Sequence, residues 1–142
     1  MANEKLKIIP LGGLNEVGKN LTVYEYGNDI LVVDCGLGFP DGEMYGVDVV
    51  IPDVTYLVKN AEKIRGIVLT HGHEDHIGAI PYVLKEISAP IYATPLTLAL
   101  VRYKLEERRM LELADLREFR ARDKFTVGCF EIEAIHVNHS IA

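Results

Sequence analysis

Residues 70 to 76 read Thr-His-Gly-His-Glu-Asp-His and follow an apolar run that predicts a buried strand. Four potential metal ligands fall within six positions of this stretch: His71, His73, Asp75 and His76. In an extended backbone His71 and His73 point the same way, so their imidazoles can converge on one ion. Asp75 and His76 can serve a second ion, and imidazole with carboxylate suits zinc or manganese. A solvated polar loop is the alternative, but crowded imidazoles repel one another once protonated.

A third ligand for the first ion has two candidates near the end of the chain. His136 and His139 lie in His-Val-Asn-His-Ser and are the only other histidines. A zinc ion held by three histidines keeps a fourth position for water and lowers the pKa of that water to about 7. Either histidine could instead be a hydrogen-bonded residue at a strand end, and the spacing leaves the choice open.

Asp34 ends the apolar strand expected over residues 30 to 34. A carboxylate at such a position is costly unless it is hydrogen-bonded, and it suits a role in orienting a ligand histidine. A simple turn cap is the alternative. Asp41, Asp48 and Asp53 lie in or beside a long glycine-rich loop over residues 35 to 53, and we expect them to be solvated.

The composition is that of one ordinary globular domain, with 142 residues, 49% of them hydrophobic and 25% charged. The net charge of −6 repels phosphates overall, and only residues 102 to 124, with 8 basic and 6 acidic groups, are basic. No apolar run approaches the ~20 residues that cross a bilayer, so we expect no membrane partner. Two cysteines, Cys35 and Cys129, form no dense disulfide framework; we expect both to be buried, in a reduced cytoplasmic protein.

The order of predicted elements is strands, then strand, helix, strand, helix, and then strands again. Apolar runs at 5–11, 21–26 and 30–34 predict strands, with a hairpin turn at Gly27-Asn28. Helical spacing follows at 56–64 and 77–87, and a helix opened by Thr94-Pro95 extends to Leu111. Strands return from Glu118 onward. This order predicts a mixed α/β fold, one half of a sandwich.

Residues 13 to 19 spell G-x-x-x-x-G-K, the pattern of a phosphate-binding loop. Asn20 follows where that loop needs Ser or Thr for magnesium, and the next residues alternate like a strand rather than opening a helix. We therefore exclude a nucleotide-binding loop of this type.

Several segments together, in this order, resemble the metallo-β-lactamase superfamily and, within it, the ribonuclease J family of the β-CASP branch. The metal loop alone indicates only the superfamily, and the other segments narrow the resemblance to ribonuclease J. They are Gly-Gly-Leu-Asn-Glu-Val-Gly-Lys-Asn at 12–20, Asp-Cys-Gly at 34–36, Ile-Pro-Asp-Val-Thr-Tyr-Leu at 51–57, His-Gly-His-Glu-Asp-His-Ile-Gly-Ala-Ile-Pro-Tyr at 71–82 and His-Ser-Ile at 139–141.

The resemblance assigns roles that spacing leaves open. It implies that His139 joins His71 and His73 as the third ligand of the first ion. It implies that Asp75 and His76 are the pair that binds the second ion and carries catalysis. Asp34 matches the first acidic motif of the superfamily, whereas His136 matches no family role.

The implied fold is the N-terminal part of an αββα sandwich, with residues 1–142 ending before the bridging aspartate and the β-CASP domain. Because residues 131 to 137 are expected to join a sheet still being built, we expect a fragment, either an engineered truncation or an incomplete gene product. We further expect the exposed sheet edges to drive self-association.

The implied activity of a full-length member is two-metal RNA cleavage, both endonucleolytic and 5′-to-3′ exonucleolytic, in RNA processing and decay. Two zinc ions are implied, with manganese or magnesium possible, and RNA is the implied partner. We expect this chain alone to be inactive or weakly active. Two alternatives remain: another hydrolase of the same fold, acting on thioesters or phosphodiesters, and a non-catalytic metal-binding module.

Overall fold

A computed structural model describes residues 4–139 of the chain. Within them, eight strands form a six-stranded sheet and a two-stranded sheet. The strands are β1 (Lys7–Gly12), β2 (Leu21–Tyr26), β3 (Asp29–Val33), β4 (Ile64–Val68), β5 (Ile91–Ala93), β6 (Leu116–Glu118), β7 (Lys124–Val127) and β8 (Phe130–Glu133). The large sheet has the order β1-β2-β3-β4-β5-β6, antiparallel from β1 to β3 and parallel from β3 to β6.

The predicted hairpin between β2 and β3 is confirmed. Tyr26 pairs with Asp29, which leaves Gly27 and Asn28 as a two-residue turn, and Gly27 has a φ of 57°. Glycine adopts this left-handed conformation without steric cost, which is why the turn fits here.

Four helices connect and cover the strands in the described part of the chain: α1 (Thr55–Lys59), α2 (Glu74–Ile77), α3 (Ile80–Val83) and α4 (Pro95–Glu107). The helix predicted over 77–87 is shorter in the structure: α3 covers only Ile80–Val83, and Ile77 is the last residue of α2. The last helix ends at Glu107 and not at Leu111, because Arg109 takes a φ of 54° that no right-handed helix accommodates. No helix among residues 4–139 is both long and apolar enough to span a membrane.

The two faces of the large sheet bury different clusters. The main core lies under the helices and includes Val32, Ile67, Ile80 and Leu105, all fully or almost fully buried. On the opposite face the β7–β8 hairpin packs Val127 and its aromatic neighbours against β3, β4 and β5. The result is a helix layer, a large sheet and a small sheet, which confirms the mixed α/β prediction.

Two further sequence expectations are wrong. Residues 131 to 137 were expected to extend a sheet strand, but β8 ends at Glu133, and in the described residues it pairs only with β7. The backbone of Ala134 instead bonds to Arg122 and Asp123 and closes the end of the hairpin.

The second wrong expectation concerns the cysteines. Cys35 is buried as predicted, but Cys129 is exposed because it lies in the tight turn between β7 and β8, after Gly128 at a φ of 59°. Both are free thiols.

The parallel arrangement of β3 and β4 positions the candidate site. Both strands end at the same edge of the sheet, where Asp34 follows β3 and residues 70–76 follow β4. Open α/β sheets bind their ligands at this edge. The chain beyond β8 returns to the same edge and carries His139 there, close to the histidines that follow β4.

Candidate metal centre

Three histidines from two distant stretches converge at the carboxyl edge of the sheet. His71, His73 and His139 each offer a ring nitrogen, and these three atoms lie within 4.8 Å of one another. The ring centroid of His139 is 4.6 Å from that of His71 and 4.7 Å from that of His73. His71 is buried, His73 is half-buried and His139 is exposed, so the cluster is open to solvent on one side.

The spacing of the nitrogens suits a metal ion. Nε2 of His71 and Nδ1 of His73 are 3.1 Å apart. Two ligands of a tetrahedral zinc, each ~2.0–2.1 Å from the metal, stand about 3.4 Å apart. Burial, and then the nearby His76, lower the pKa of His71, which keeps this ring neutral as a ligand must be. The donor set therefore fits zinc or a similar divalent ion.

Thr70 links His71 to Asp34 and decides which nitrogen of His71 carries the proton. The Thr70 hydroxyl lies 2.9 and 3.0 Å from the two carboxylate oxygens of Asp34 and 3.0 Å from His71 Nδ1. A carboxylate only accepts, so the single hydroxyl hydrogen is donated to Asp34 and the hydroxyl oxygen accepts from Nδ1–H. The lone pair of His71 is then on Nε2, the nitrogen that faces His73.

Asp34 also orients His76, in this case through a direct hydrogen bond. His76 Nδ1 donates to Asp34 Oδ2 at 2.8 Å, so the lone pair of the neutral ring is on Nε2. Burial is the largest single effect on the pKa of His76 and lowers it, but the hydrogen bond and charge of Asp34, with the charge of Asp75, outweigh it and raise the pKa. Asp34 itself is buried and has a φ of 63°.

Asp75 and His76 lie on α2 rather than in a loop, and they stand beside the three-histidine cluster. His76 Nε2 is 3.4 Å from Asp75 Oδ2, and its ring centroid is 4.1 Å from that of His71. The segment after β3 holds this helix through backbone bonds, Cys35 N–H to His76 O at 2.8 Å and Leu37 N–H to Glu74 O at 3.1 Å. Between them, Gly36 leaves no space for a Cβ, which would overlap the carbonyl oxygen of Asp75.

Two residues of the site were missed from the sequence, Thr70 and Asn20. The amide nitrogen of Asn20 lies 3.0 Å from Asp75 O and 3.3 Å from His76 Nε2. Asn20 directly follows the rejected phosphate-loop pattern, and its position in the sequence does not predict contacts with Asp75 and His76, which lie 55 and 56 residues further along the chain. The strand that the alternation predicts after this segment is β2.

The remaining candidates are not members of the three-histidine cluster. His136 is exposed and lines an apolar cavity of about 240 Å³ between the large sheet and the segment that follows β8. Asp41, Asp48 and Asp53 are exposed, as predicted. Ser140, part of the motif that favoured His139, lies outside the described residues.

The family model of the metallo-beta-lactamase superfamily matches residues 14–141. The chain belongs to the metallo-β-lactamase superfamily. The match includes both stretches that supply the clustered histidines, and the layered mixed α/β architecture agrees with it. The predicted fold class is thus confirmed at the level of the superfamily.

The relatives of this chain confirm the predicted resemblance to ribonuclease J. The chain is 53% identical over 141 residues to ribonuclease J of Synechocystis, covering 98% of this chain and 22% of the relative. It is 46% identical over 138 residues to ribonuclease J2 of Bacillus subtilis, covering 97% and 25%. The chain therefore spans between a fifth and a quarter of the length of these relatives.

A solved structure of a protein of unknown function from Enterococcus faecalis shares the fold. Its TM-score is 0.72 at 16% identity, and the match covers 95% of this chain and 38% of that one. At this identity the likeness concerns the fold alone.

Proposed function

We propose that this metallo-β-lactamase domain supplies metal ligands to a ribonuclease of the ribonuclease J type. The observation that carries the proposal is the convergence of His139 on His71 and His73, because residues from two distant stretches of the chain meet with the spacing of a metal site. The similarity to proteins named ribonuclease J, which extends over 98% and 97% of this chain, supports RNA as the substrate.

In this proposal each residue of the centre has a distinct task. His71, His73 and His139 hold the first ion, and Asp75 and His76 contribute to the second. When bound, the ions supply Lewis acidity, lower the pKa of a coordinated water to about 7 and bring positive charge to the scissile phosphate. Asp34 holds the proton of His76 on Nδ1, directly, and that of His71 through Thr70, so that both rings keep Nε2 for an ion.

The proposed activity of the whole protein is endonucleolytic and 5′-to-3′ exonucleolytic cleavage of RNA in cytoplasmic RNA processing and decay, with zinc as the first choice of metal and manganese or magnesium as substitutes. For the chain alone we propose little or no turnover, since Asp75 and His76 are only two ligands for the second ion. Because this chain has a net charge of −6, we propose that the ions supply the local positive charge for phosphate and that other domains supply the RNA-binding groove.

A transplant experiment tests the proposal. Residues 14–139 replace the aligned segment of the Synechocystis ribonuclease J, and the chimera is assayed on 5′-monophosphorylated RNA with zinc or manganese. We expect cleavage that His73→Ala reduces at least a hundredfold, because it removes a ligand of the ion. His136→Ala is the matched control and should cleave like the unmodified chimera.

Two outcomes would contradict the proposal. A folded, metal-loaded chimera that hydrolyses a thioester or a small phosphodiester but not RNA would favour another hydrolase of this fold. A chimera that cleaves RNA equally well with and without the His73→Ala substitution would refute the role of the cluster.

Self-association of the chain stays a prediction. In the described residues β1 and β6 are the edges of the large sheet, and Ile8 on β1 is 58% exposed. Unpaired edges with exposed apolar side chains favour pairing with a second copy. Light scattering of the chain over a concentration series should show a rising mass, and a constant monomer mass would contradict the prediction.

A further inference from the structure

Asn20 is held against the Asp75–His76 pair from both sides of its backbone. Its N–H donates to Asp75 O at 3.1 Å, and its carbonyl oxygen accepts from Gly36 N–H at 2.9 Å. These bonds join the start of β2 to α2 and to the segment after β3. The position of the side chain is therefore set by the same backbone that positions the pair.

The side-chain amide of Asn20 spans both members of the pair. Nδ2 lies 3.0 Å from Asp75 O, 3.2 Å from Asp75 Oδ2 and 3.3 Å from His76 Nε2. An amide nitrogen has two hydrogens to donate, carries no charge and has no lone pair for a metal. It can hold a carboxylate and an imidazole in place, but it cannot replace either as a ligand.

We infer that Asn20 is a positioning residue for the second metal ion: its amide holds the Asp75 carboxylate, whose Oδ2 lies 3.4 Å from His76 Nε2, so that this oxygen and this nitrogen stay close enough to share that ion. Asp34 fixes the same imidazole from its other nitrogen. The His76 ring thus faces a donor at Nε2 and an acceptor at Nδ1. Asn20 Nδ2 has only two hydrogens for its three acceptors, and its contact with Nε2 is the longest, so this is the contact that ion binding replaces, whereas the two to Asp75 persist.

The inference rests on the proposed function, because it needs Asp75 and His76 to bind an ion. It adds a residue that contacts no ion itself. Groups that hold metal ligands in place typically contribute ten- to a hundredfold to metal affinity. We expect Asn20 to contribute in that range to the second ion and not to the first.

The test follows the histidine ring nitrogens of the whole chain by ¹⁵N nuclear magnetic resonance during a zinc titration. In the unmodified chain, the first additions should shift nitrogens of His71, His73 and His139, and later additions should shift His76 Nε2. Asn20→Leu preserves volume and removes both donors. It should raise the zinc concentration at the midpoint of the His76 phase ten- to a hundredfold and leave the first phase within twofold.

The matched control is Glu16→Ala. Glu16 stabilises the same segment, accepting from Gly13 N–H at 3.1 Å and pairing with Lys19 at 2.9 Å, and neither of these bonds reaches α2. This variant should leave both phases within twofold. If Asn20→Leu fails to fold, Asn20→Ser, whose shorter side chain cannot reach Asp75 Oδ2, replaces it with the same expectation.

The possible results separate the inference from the proposed function. An unchanged His76 phase in the Asn20 variant, or an equal shift in the Glu16 variant, overturns the inference alone. A His76 ring that never responds to zinc in the unmodified chain also overturns it. Absence of the first phase overturns the metal site of the proposed function instead.

Discussion

Replacing Asp34 by Asn tests the hydrogen-bond network behind the candidate ligands. Asp34 accepts from Thr70 N–H at 2.8 Å, from the Thr70 hydroxyl and from His76 Nδ1 at 2.8 Å, and its side chain is only 9% exposed. Asparagine is the informative substitution because it preserves the shape and tolerates the φ of 63° that alanine would strain. Any effect of Asp34→Asn then reports on the lost oxygen and charge.

The magnitude follows from the contacts. The amide oxygen can still accept from both Thr70 donors, but the amide nitrogen then faces His76 Nδ1–H, donor against donor. The charge-assisted bond lost there is worth roughly 1.5–3 kcal/mol. We expect the free energy of unfolding of the metal-free chain to fall by about that amount. At pH 8 the neutral His76 should move its proton to Nε2, so that Nδ1 accepts from the new amide and recovers part of this loss; the lone pair is then removed from the side of the second ion.

The effect should depend on pH with a defined sign. The pKa of His76 is raised in the folded chain, so protonation of this ring favours folding. That contribution is complete below about pH 6.5, the ordinary histidine pKa, and disappears as the pH rises through the folded-state value. Asp34→Asn removes the partner, so the destabilisation should be greater at pH 5 than at pH 8.

The assay is urea unfolding with a chelator present, at several pH values, combined with ¹⁵N spectra that report the His76 tautomer. Asp48→Asn is the control, because this exposed loop carboxylate should change stability by no more than about 0.5 kcal/mol. The reasoning is refuted if Asp34→Asn changes stability no more than the control does, or if His76 keeps its proton on Nδ1.

Three further predictions concern other parts of the chain. Gly36→Ala should destabilise it by ~1–3 kcal/mol in urea unfolding, because the added methyl overlaps the Asp75 carbonyl; full stability would contradict the close approach. Cys129 should react with a thiol reagent in the folded chain and Cys35 only after unfolding, since burial raises the pKa of Cys35; two equal rates would refute this. Tyr56→Phe should lower the free energy of unfolding by ~1–3 kcal/mol, because it removes the hydroxyl that donates to the buried carboxylate of Glu25 on β2; an unchanged urea midpoint would count against that bond.

The metal loop was predictable because its chemistry is local. Four ligand-type side chains within six residues have few structural uses, and the buried strand before them fixes where they lie. His139 is different, because spacing alone left it equal to His136 and only the resemblance favoured it. The structure brings His139 to the cluster and leaves His136 exposed beside an apolar cavity. The ligand assignments themselves remain predictions until an ion is measured.

The contacts of Thr70 and Asn20 could not be read from the sequence. Each depends on a hydroxyl or amide meeting a partner 36 or 55 positions away, which only the folded sheet edge brings together. The prediction of a strand beyond Glu133 failed for a similar reason. Apolar and polar residues continue to alternate there, but the backbone of Ala134 has already closed the hairpin. Here the periodicity predicts neither burial, since Ile135 and Val137 are exposed, nor which strand supplies the next hydrogen bond.

Equilibrium dialysis of the chain against zinc, with elemental analysis, tests the central claim most directly. The claim is that His71, His73 and His139 together hold one divalent ion. The account predicts one tightly bound equivalent, at least tenfold weaker binding in His139→Ala, and unchanged binding in His136→Ala. Binding by His139→Ala as tight as that of the unmodified chain would contradict it.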